Sequence, residues 1–581
     1  MTNMSVPHTS RQERFEGALE LGDMENHLRL LAAFRDLRRQ ASASGEVPPP
    51  YGAQQEKPLP TSEQWTATLV KALVRFEAYL TKVLPRAPDF AAPKLTMDDL
   101  NIGEFEERKR AFHDVPDAFL PPVDVALIWS VYMLNPSRYY EDMYNVDSRY
   151  VLGYFRFPLG RSLDTPAARE TWEMLTETPF DVFQWHTPSH AVGCPTCGAA
   201  NDVAWSELSA GSWHTKCASC SSLVSSGTVL GKRWAADAAR WTMGGSDVEG
   251  FRLRGGIISP FNSRVFQKDP FMPVLTRLFE NKRETKLANH NLYDKPLWTT
   301  EQDIYGHIVQ GTQDPMNFFA RHQDVKEIGE AVLAETRTTI DWKHMAVQAE
   351  SLRKELALRV ALMMRCYTAA HPLSDASLDL VQAAIRQTHF LMDMEELGWL
   401  DAPKEADLGN ARMRYYAWLG LAILNDDIIP TLDIDLAWHT HMLNPQYYAF
   451  TFRTLGHFLN HDDTVGAGTL EKEFARTEGY WEQVYKQPFS VQGGTKQKGI
   501  LQKVFGKMTG KEHDAPVQNQ HAPTARSKHS SYAGQPISGV SPTGRGSCIG
   551  GHSRKAYRGA GDNKMGYGVF AGGGWAEMHG T

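Results

Sequence analysis

Apolar residues recur at helical spacing over most of this chain, and the breaks between those stretches divide it. Leu28, Leu31, Phe34 and Leu37 fall three or four apart among charged residues, which predicts an amphipathic helix within residues 1–40. Residues 41–60 are rich in Pro, Gly and Ser and read as a linker. Helical spacing returns over 61–185, most clearly in LVKALVRFEAYL and DVALIWSVYML. A cysteine-bearing segment occupies 190–230, and 231–344 mixes helical spacing with Gly and Pro. The helical pattern resumes over 345–491, most plainly in SLRKELALRVALMMRCYTAA. Beyond it, 492–543 is basic with few large apolar residues, and 544–581 is Gly-rich with scattered Arg, Lys, Tyr and Trp. Such segments bury too little surface to offset their ordering entropy and are expected to be disordered.

The most informative feature is an internal duplication. VDVALIWSVYMLNPSRYYEDM in the first copy is matched by LDIDLAWHTHMLNPQYYAFTF in the second, with Trp129 and Trp438 309 positions apart (438 − 129). Downstream, WEMLTETPFDV is matched by WEQVYKQPFSV, and Trp172 and Trp481 keep the same offset. Upstream, RFEAYL from Arg75 resembles RYYAWL from Arg414 at a different spacing. Each copy predicts a short buried helix, with carboxylates in its first turn, where the helix dipole favours them. A proline, Pro136 or Pro445, stops it. Trp129 and Trp438 are expected to be core anchors.

The copies differ in their histidines. His439 and His441 stand where the first copy has Ser130 and Tyr132, and His457 replaces Tyr154, with His461, Asp462 and Asp463 close behind. In a helix, positions i and i+2 lie about 200° apart, so His439 and His441 do not share an ion there. His457 and His461 share a face if their stretch is helical, and Asp462 or Asp463 then adds a carboxylate. Asp435 and His439, an i, i+4 pair, read as a plain structural hydrogen bond. No catalytic residue is assigned; His439, His441, His457 and His461 stand as weak candidates, and the structural reading is preferred.

Between the copies, CPTCGAANDVAWSELSAGSWHTKCASC holds two Cys-x-x-Cys pairs separated by 19 residues, Gly198 to Lys216. That spacing suits a ribbon in which Cys194, Cys197, Cys217 and Cys220 close one tetrahedral site around structural Zn2+. The residues between the pairs, with Trp205 and Trp213, read as short strands, and His186, His190 and His214 as surface residues. The fold class expected is mainly α: two duplicated helical domains flanking a small β zinc ribbon and a mixed middle segment, with a disordered Gly-rich C-terminal tail.

Composition narrows the function classes. Of the 581 residues, 42% are hydrophobic and 22% charged, the balance of a soluble globular protein, and a net charge of −7 argues against general polyanion binding. No apolar run reaches the length of a membrane span, and the polar N-terminus carries no signal-peptide core. Four of six cysteines sit in one motif, with Cys366 and Cys548 alone, which points to a reducing compartment, cytoplasmic or nuclear. No Ser nucleophile elbow, P-loop or dinucleotide-binding unit is found, and the Gly pairs at 244–245 and 255–256 are isolated.

The paired VDVALIW…MLNP…YY and DIDLAWHTHMLNP…YY motifs, each followed by W…PF, resemble the glycine-rich domain-containing protein family of plants and fungi. The likeness covers roughly 61–182 and 376–491, including SLDLVQAAIRQTHFLMDMEELGW ahead of the second block. The first copy departs from it, with WSVY in place of WH-x-H, and the zinc ribbon is an addition to the plant-type arrangement. The resemblance implies roles in development or stress response without a settled biochemical activity. The expectation is a non-enzymatic scaffold or regulatory protein whose partners are proteins, with weak RNA contact through the tail. The alternative is a metal-dependent enzyme using the second-copy histidines.

Overall fold

A computed structural model describes residues 19–43, 62–88, 90, 112–211, 213–243, 252–258, 323–339, 359–423, 428–455, 459–461 and 467–490. The expected disorder after 491, and His457, Asp462, Asp463 and Cys548, lie outside the described residues. Among the described residues the fold is mainly helical, with two small antiparallel two-stranded sheets.

The first copy is built from α2 (Ser62–Ala78), α3 (Val123–Met133), α4 (Pro136–Asn145) and α5 (Pro166–Thr176); α1 (Leu21–Ala43) precedes it. Helix α2 runs on through a π turn, Tyr79–Val83, and a 3-10 turn, Leu84–Arg86, where Pro85 ends the regular ladder. Then come β1 (Ser189–Gly193), β2 (Ala200–Ala204), α6 (Trp205–Ser209), β3 (His214–Lys216) and β4 (Leu223–Ser225). Two helices from the segment read as mixed, α7 (Ser226–Met243) and α8 (Val325–Thr339), pack together. The second copy comprises α9 (Leu380–Glu396), α10 (Glu405–Ala422), α11 (Leu432–Met442), α12 (Tyr447–Leu455) and α13 (Ala467–Tyr485).

Sequence explains the key boundaries. Helix α3 ends at Met133 and α11 at Met442, two residues before Asn-Pro in each case, because the residue ahead of a proline is pushed out of the helical region. Asp379 caps α9 by accepting from the amides of Val381 and Gln382 at 3.0 Å. Helix α1 starts at Leu21 and turns Met24, Leu28, Leu31, Phe34 and Leu37 inward. It packs on α2 and α3 of the first copy and on α10 and α11 of the second, and α9 packs on α2 and α3. One apolar core therefore runs through both copies and reaches into the ribbon through Val192, Val203, Trp205, Trp213 and Val224. A second, smaller core joins α7, α8 and the helical residues 359–368 through Trp234, Ile328, Val332, Met363 and Tyr367.

The duplication is repeated in three dimensions. Arg75 donates to Asp124 at 2.7 Å and to the carbonyls of Pro179 and Phe180 at 2.6 and 2.5 Å, with its guanidinium 4.6 Å from the Trp172 ring centre. Arg414 donates to Asp433 at 2.6 Å and to the Phe489 carbonyl at 2.7 Å, 5.1 Å from the Trp481 ring centre. In each copy an arginine ties the start of the buried helix to the W…PF segment. Of the first-turn carboxylates expected to favour the helix dipole, Asp124 and Asp433 are thus paired with arginines as well. Trp129 and Trp438 are fully buried, and their indoles donate to Tyr139 at 3.3 Å and Tyr447 at 2.7 Å. That pairing places a one-residue deletion between Pro445 and Tyr447, since these tyrosines are 308 apart (447 − 139).

The Gly255–Gly256 pair makes a tight turn. Gly255 has φ +77°, and a Cβ there would lie 2.9 Å from Cys366 Sγ and 3.1 Å from Met363 Cα.

Candidate metal centres and their family

The four cysteines come from two equivalent hairpin turns. Cys194 and Cys197 lie between β1 and β2, and Cys217 and Cys220 between β3 and β4. In each turn the first cysteine's carbonyl accepts from the residue after the second cysteine, Gly198 or Ser221, at 2.9 Å. Its own amide donates to the next carbonyl along, Ala199 at 2.8 Å or Ser222 at 2.9 Å. Both Gly198 (φ 79°) and Ser221 (φ 63°) are left-handed, which turns the chain tightly enough to face both sulfurs inward.

Cys194 Sγ lies 3.6 Å from Cys220 Sγ, and Cys197 Sγ lies 3.6 Å from Cys217 Sγ. A tetrahedral ion with metal–sulfur bonds of about 2.3 Å sets sulfurs about 3.8 Å apart, so the donor set fits a zinc-sized ion. The amides of Cys220 and Ser219 pull the Cys217 thiol down to about 6, favouring the thiolate that binds metal. One sequence expectation is corrected here. Trp205 is not on a strand but opens α6, where the Glu207 carboxylate caps the Ala204 amide; Trp213 precedes β3, buried. His186 and His214 are exposed, as expected, whereas His190 is half-buried and stacks on Trp205, ring centres 5.3 Å apart.

The histidines form a different cluster from the one the sequence suggests. His439 and His441 point to opposite sides of α11, as the helical period requires. His441 Nδ1 lies 2.8 Å from the Tyr415 hydroxyl, and its ring packs against Tyr447 and Phe450. His441 is therefore a core residue, and burial pushes its pKa down to about 3. His439 turns toward α9 and the first copy, 4.4 Å from the Phe390 ring centre, and burial followed by the nearby His461 and His27 holds its pKa far below the usual range.

His461 comes from the non-helical residues 459–461, so the i, i+4 arrangement with His457 does not apply to it. Its Nε2 lies 3.2 Å from His439 Nε2, and His439 Nε2 lies 3.3 Å from Asp435 Oδ1. Asp435, His439 and His461 are all buried, and one ligand atom from each falls within 4.8 Å of the others. Asp435, read from sequence as a structural partner of His439, is the third member. Its i, i+4 spacing is the signal for that pairing; His461 is a candidate in the sequence through His457, and nothing in the local pattern pairs it with His439.

Beside His439 is a small cavity lined by His27, Trp65, Ser130, Gln387, Thr388 and other residues, with about 20 Å³ open to the centre of a water molecule. That is room for about one water, not for a substrate. Ser130 is the first-copy counterpart of His439 (439 − 130 = 309), so equivalent positions of the two copies face the same cavity.

A mainly helical, internally duplicated protein with a closed four-cysteine ribbon is the class that this fold and these sites define. Residues 335–450 match the family model described as glycine-rich domain-containing protein-like. Two Arabidopsis thaliana proteins, glycine-rich domain-containing proteins 1 and 2, are 33% and 32% identical to this chain over 118 residues. The match covers 18% of this chain, and 14% and 15% of the two relatives' own lengths. Over this segment the chain is similar to the glycine-rich domain-containing protein-like family, and it spans only a small part of the length of the relatives it matches. The ribbon and the first copy lie outside the matched residues, and the matched segment contains Asp435 and His439 but not His461. No solved structure matches the chain significantly. Among the described residues no helix is long and apolar enough to cross a membrane.

Proposed function

We propose that this protein is a non-enzymatic scaffold or regulatory protein of the glycine-rich domain-containing type, with Zn2+ held structurally in its ribbon. The observation that carries the reading is the convergence of four cysteine sulfurs from two matching hairpin turns. Four thiolates complete a tetrahedral shell and leave no position for a substrate or an activated water. The second-copy histidines support the same reading, because His439, His441 and His461 are all buried and the cavity beside His439 is water-sized. An enzyme needs a concave site into which polar groups converge and substrate can enter. Keeping four thiols free for metal suits a reducing compartment, cytosol or nucleus.

The partner class is protein, with weak RNA contact assigned to the Arg-, Lys- and Tyr-bearing sequence after 491. The test is recovery of the intact chain from cross-linked cells, wild type against Cys217→Ser, with ribonuclease treatment as a second arm. A stoichiometric protein partner that survives ribonuclease and is lost from Cys217→Ser supports the scaffold. Metal-dependent turnover of a small molecule by the purified chain, abolished in His439→Ala, would overturn it in favour of an enzyme.

A further inference from the structure

We propose that Asp435, His439 and His461 hold a second zinc ion, and that this ion fastens the second copy of the duplication to the first. The inference stands apart from the ribbon, because it rests on different residues in a different part of the fold.

His461 Nδ1 lies 2.6 Å from the Leu134 carbonyl oxygen, which only accepts, so Nδ1 carries the proton. The neutral ring then presents a bare lone pair at Nε2, the atom that faces His439. A ring nitrogen donating to a backbone carbonyl is the usual way that a metal-binding imidazole is oriented, with the lone pair of its other nitrogen turned toward the ligand cluster.

Imidazole nitrogens bound to zinc at about 2.0–2.1 Å in a tetrahedral shell stand about 3.3–3.4 Å apart. The two Nε2 atoms are 3.2 Å apart, and Asp435 Oδ1 is 3.3 Å from one of them. Two nitrogens and one carboxylate oxygen are the donor set of a zinc or non-haem iron site with an open position.

His439 Nδ1 is buried and has no hydrogen-bond partner. Without metal, the Nε2–H of His439 donates within the cluster and Nδ1 is left as an unused acceptor. With zinc on Nε2 the proton moves to Nδ1, and the ring then needs an acceptor. The adjoining cavity, lined by His439, Ser130, Gln387 and Thr388, has room for the water that supplies it. Two of the three ligands sit on α11, whereas the third is oriented by the end of α3 in the first copy. Binding therefore couples to the packing of the copies.

The experiment counts zinc bound per full-length chain after equilibration with Zn2+ and removal of loose metal. Two ions are expected in wild type, one in Cys194→Ser/Cys217→Ser, one in His461→Asn and none when these are combined. One ion in wild type, wholly lost in the cysteine variant, would overturn the second site while leaving the ribbon intact. Should His461→Asn not fold, Co2+ added to the cysteine variant decides. Visible absorption without thiolate charge transfer, absent in Asp435→Asn, is the expected result. A colourless cysteine variant would show that the histidines share only a proton.

Discussion

The His461 ring donates to the carbonyl oxygen of Leu134 at 2.6 Å across 327 residues of sequence. Leu134 is the C-cap of the buried helix of the first copy, so a histidine found only in the second copy is held by the end of that helix. Neighbouring contacts follow the same seam: the Tyr140 hydroxyl donates to the Pro445 carbonyl at 3.0 Å, and the Ser137 amide to Asn460 at 3.3 Å.

The two arginine locks should be about equally costly to break. Arg75 and Asp124 are each only 1% exposed, so Arg75→Met leaves a buried carboxylate and two carbonyls without their donor. A loss of about 3–5 kcal/mol is expected, and Arg414→Met should lose a similar amount. Urea denaturation of the two variants checks this; a loss under about 1 kcal/mol in either would mean that the lock is not structural. Lysine should rescue poorly, because it cannot span a carboxylate and carbonyls with one planar fork.

The matching turns of the ribbon make an asymmetric prediction. Gly198 and Ser221 are both left-handed, yet only glycine adopts that region without steric cost. Ser221→Gly should leave stability unchanged or raise it by up to about 1 kcal/mol, whereas Gly198→Val should lower it by about 1–2 kcal/mol. Chelator resistance of Zn2+ loaded into the ribbon, followed by a colorimetric indicator, should rank the three proteins in the same order.

Acid should weaken the fold through buried neutral histidines. The Thr440 hydroxyl already donates to the Leu436 carbonyl, so His27 Nδ1 carries a proton and donates to that hydroxyl at 2.9 Å. Burial pushes His27 down to about 3 and also lowers His371. Their unfolded values lie near 6.5, so below that pH the unfolded chain binds more protons than the folded one, and for His27 this holds down to about 3. The stability they contribute is present above pH 6.5 and is lost as pH falls, for His27 by about 1.4 kcal/mol per unit. Denaturation midpoints between pH 7 and 5 test this, and His27→Leu should flatten the slope.

Removing metal from the ribbon should be felt in the main core. Trp205 and Trp213 are buried in the core that runs through both copies, and Lys71 of α2 lies 5.6 Å from the Trp205 ring centre. Cys217→Ser, or chelation of the wild type, should shift tryptophan emission to the red and lower Tm. An unchanged emission spectrum on full zinc loss would show that the ribbon folds without its ion.

The local features were legible because their physics is local. Cys-x-x-Cys spacing, the helical period of α1, the stop before Pro136 and Pro445 and the repeat offset of 309 all depend on nearby residues or on self-similarity. They gave the mainly helical class and the burial of Trp129 and Trp438. The strand expected at Trp205 failed because Glu207, three residues beyond Ala204, caps the Ala204 amide and favours a helical turn there.

What sequence alone determined, then, is the inventory: two copies, one four-cysteine set, and histidines gained by the second copy. Helical geometry also settled that His439 and His441 face apart, since a two-residue step turns nearly half a circle. Only the tertiary structure decided which histidine meets His439. His461 reaches it from an irregular segment whose direction is set by the Leu134 carbonyl and the Trp438 ring, 5.1 Å away, both remote in sequence. No periodicity encodes such a meeting, because it follows from how the packed copies close on one another.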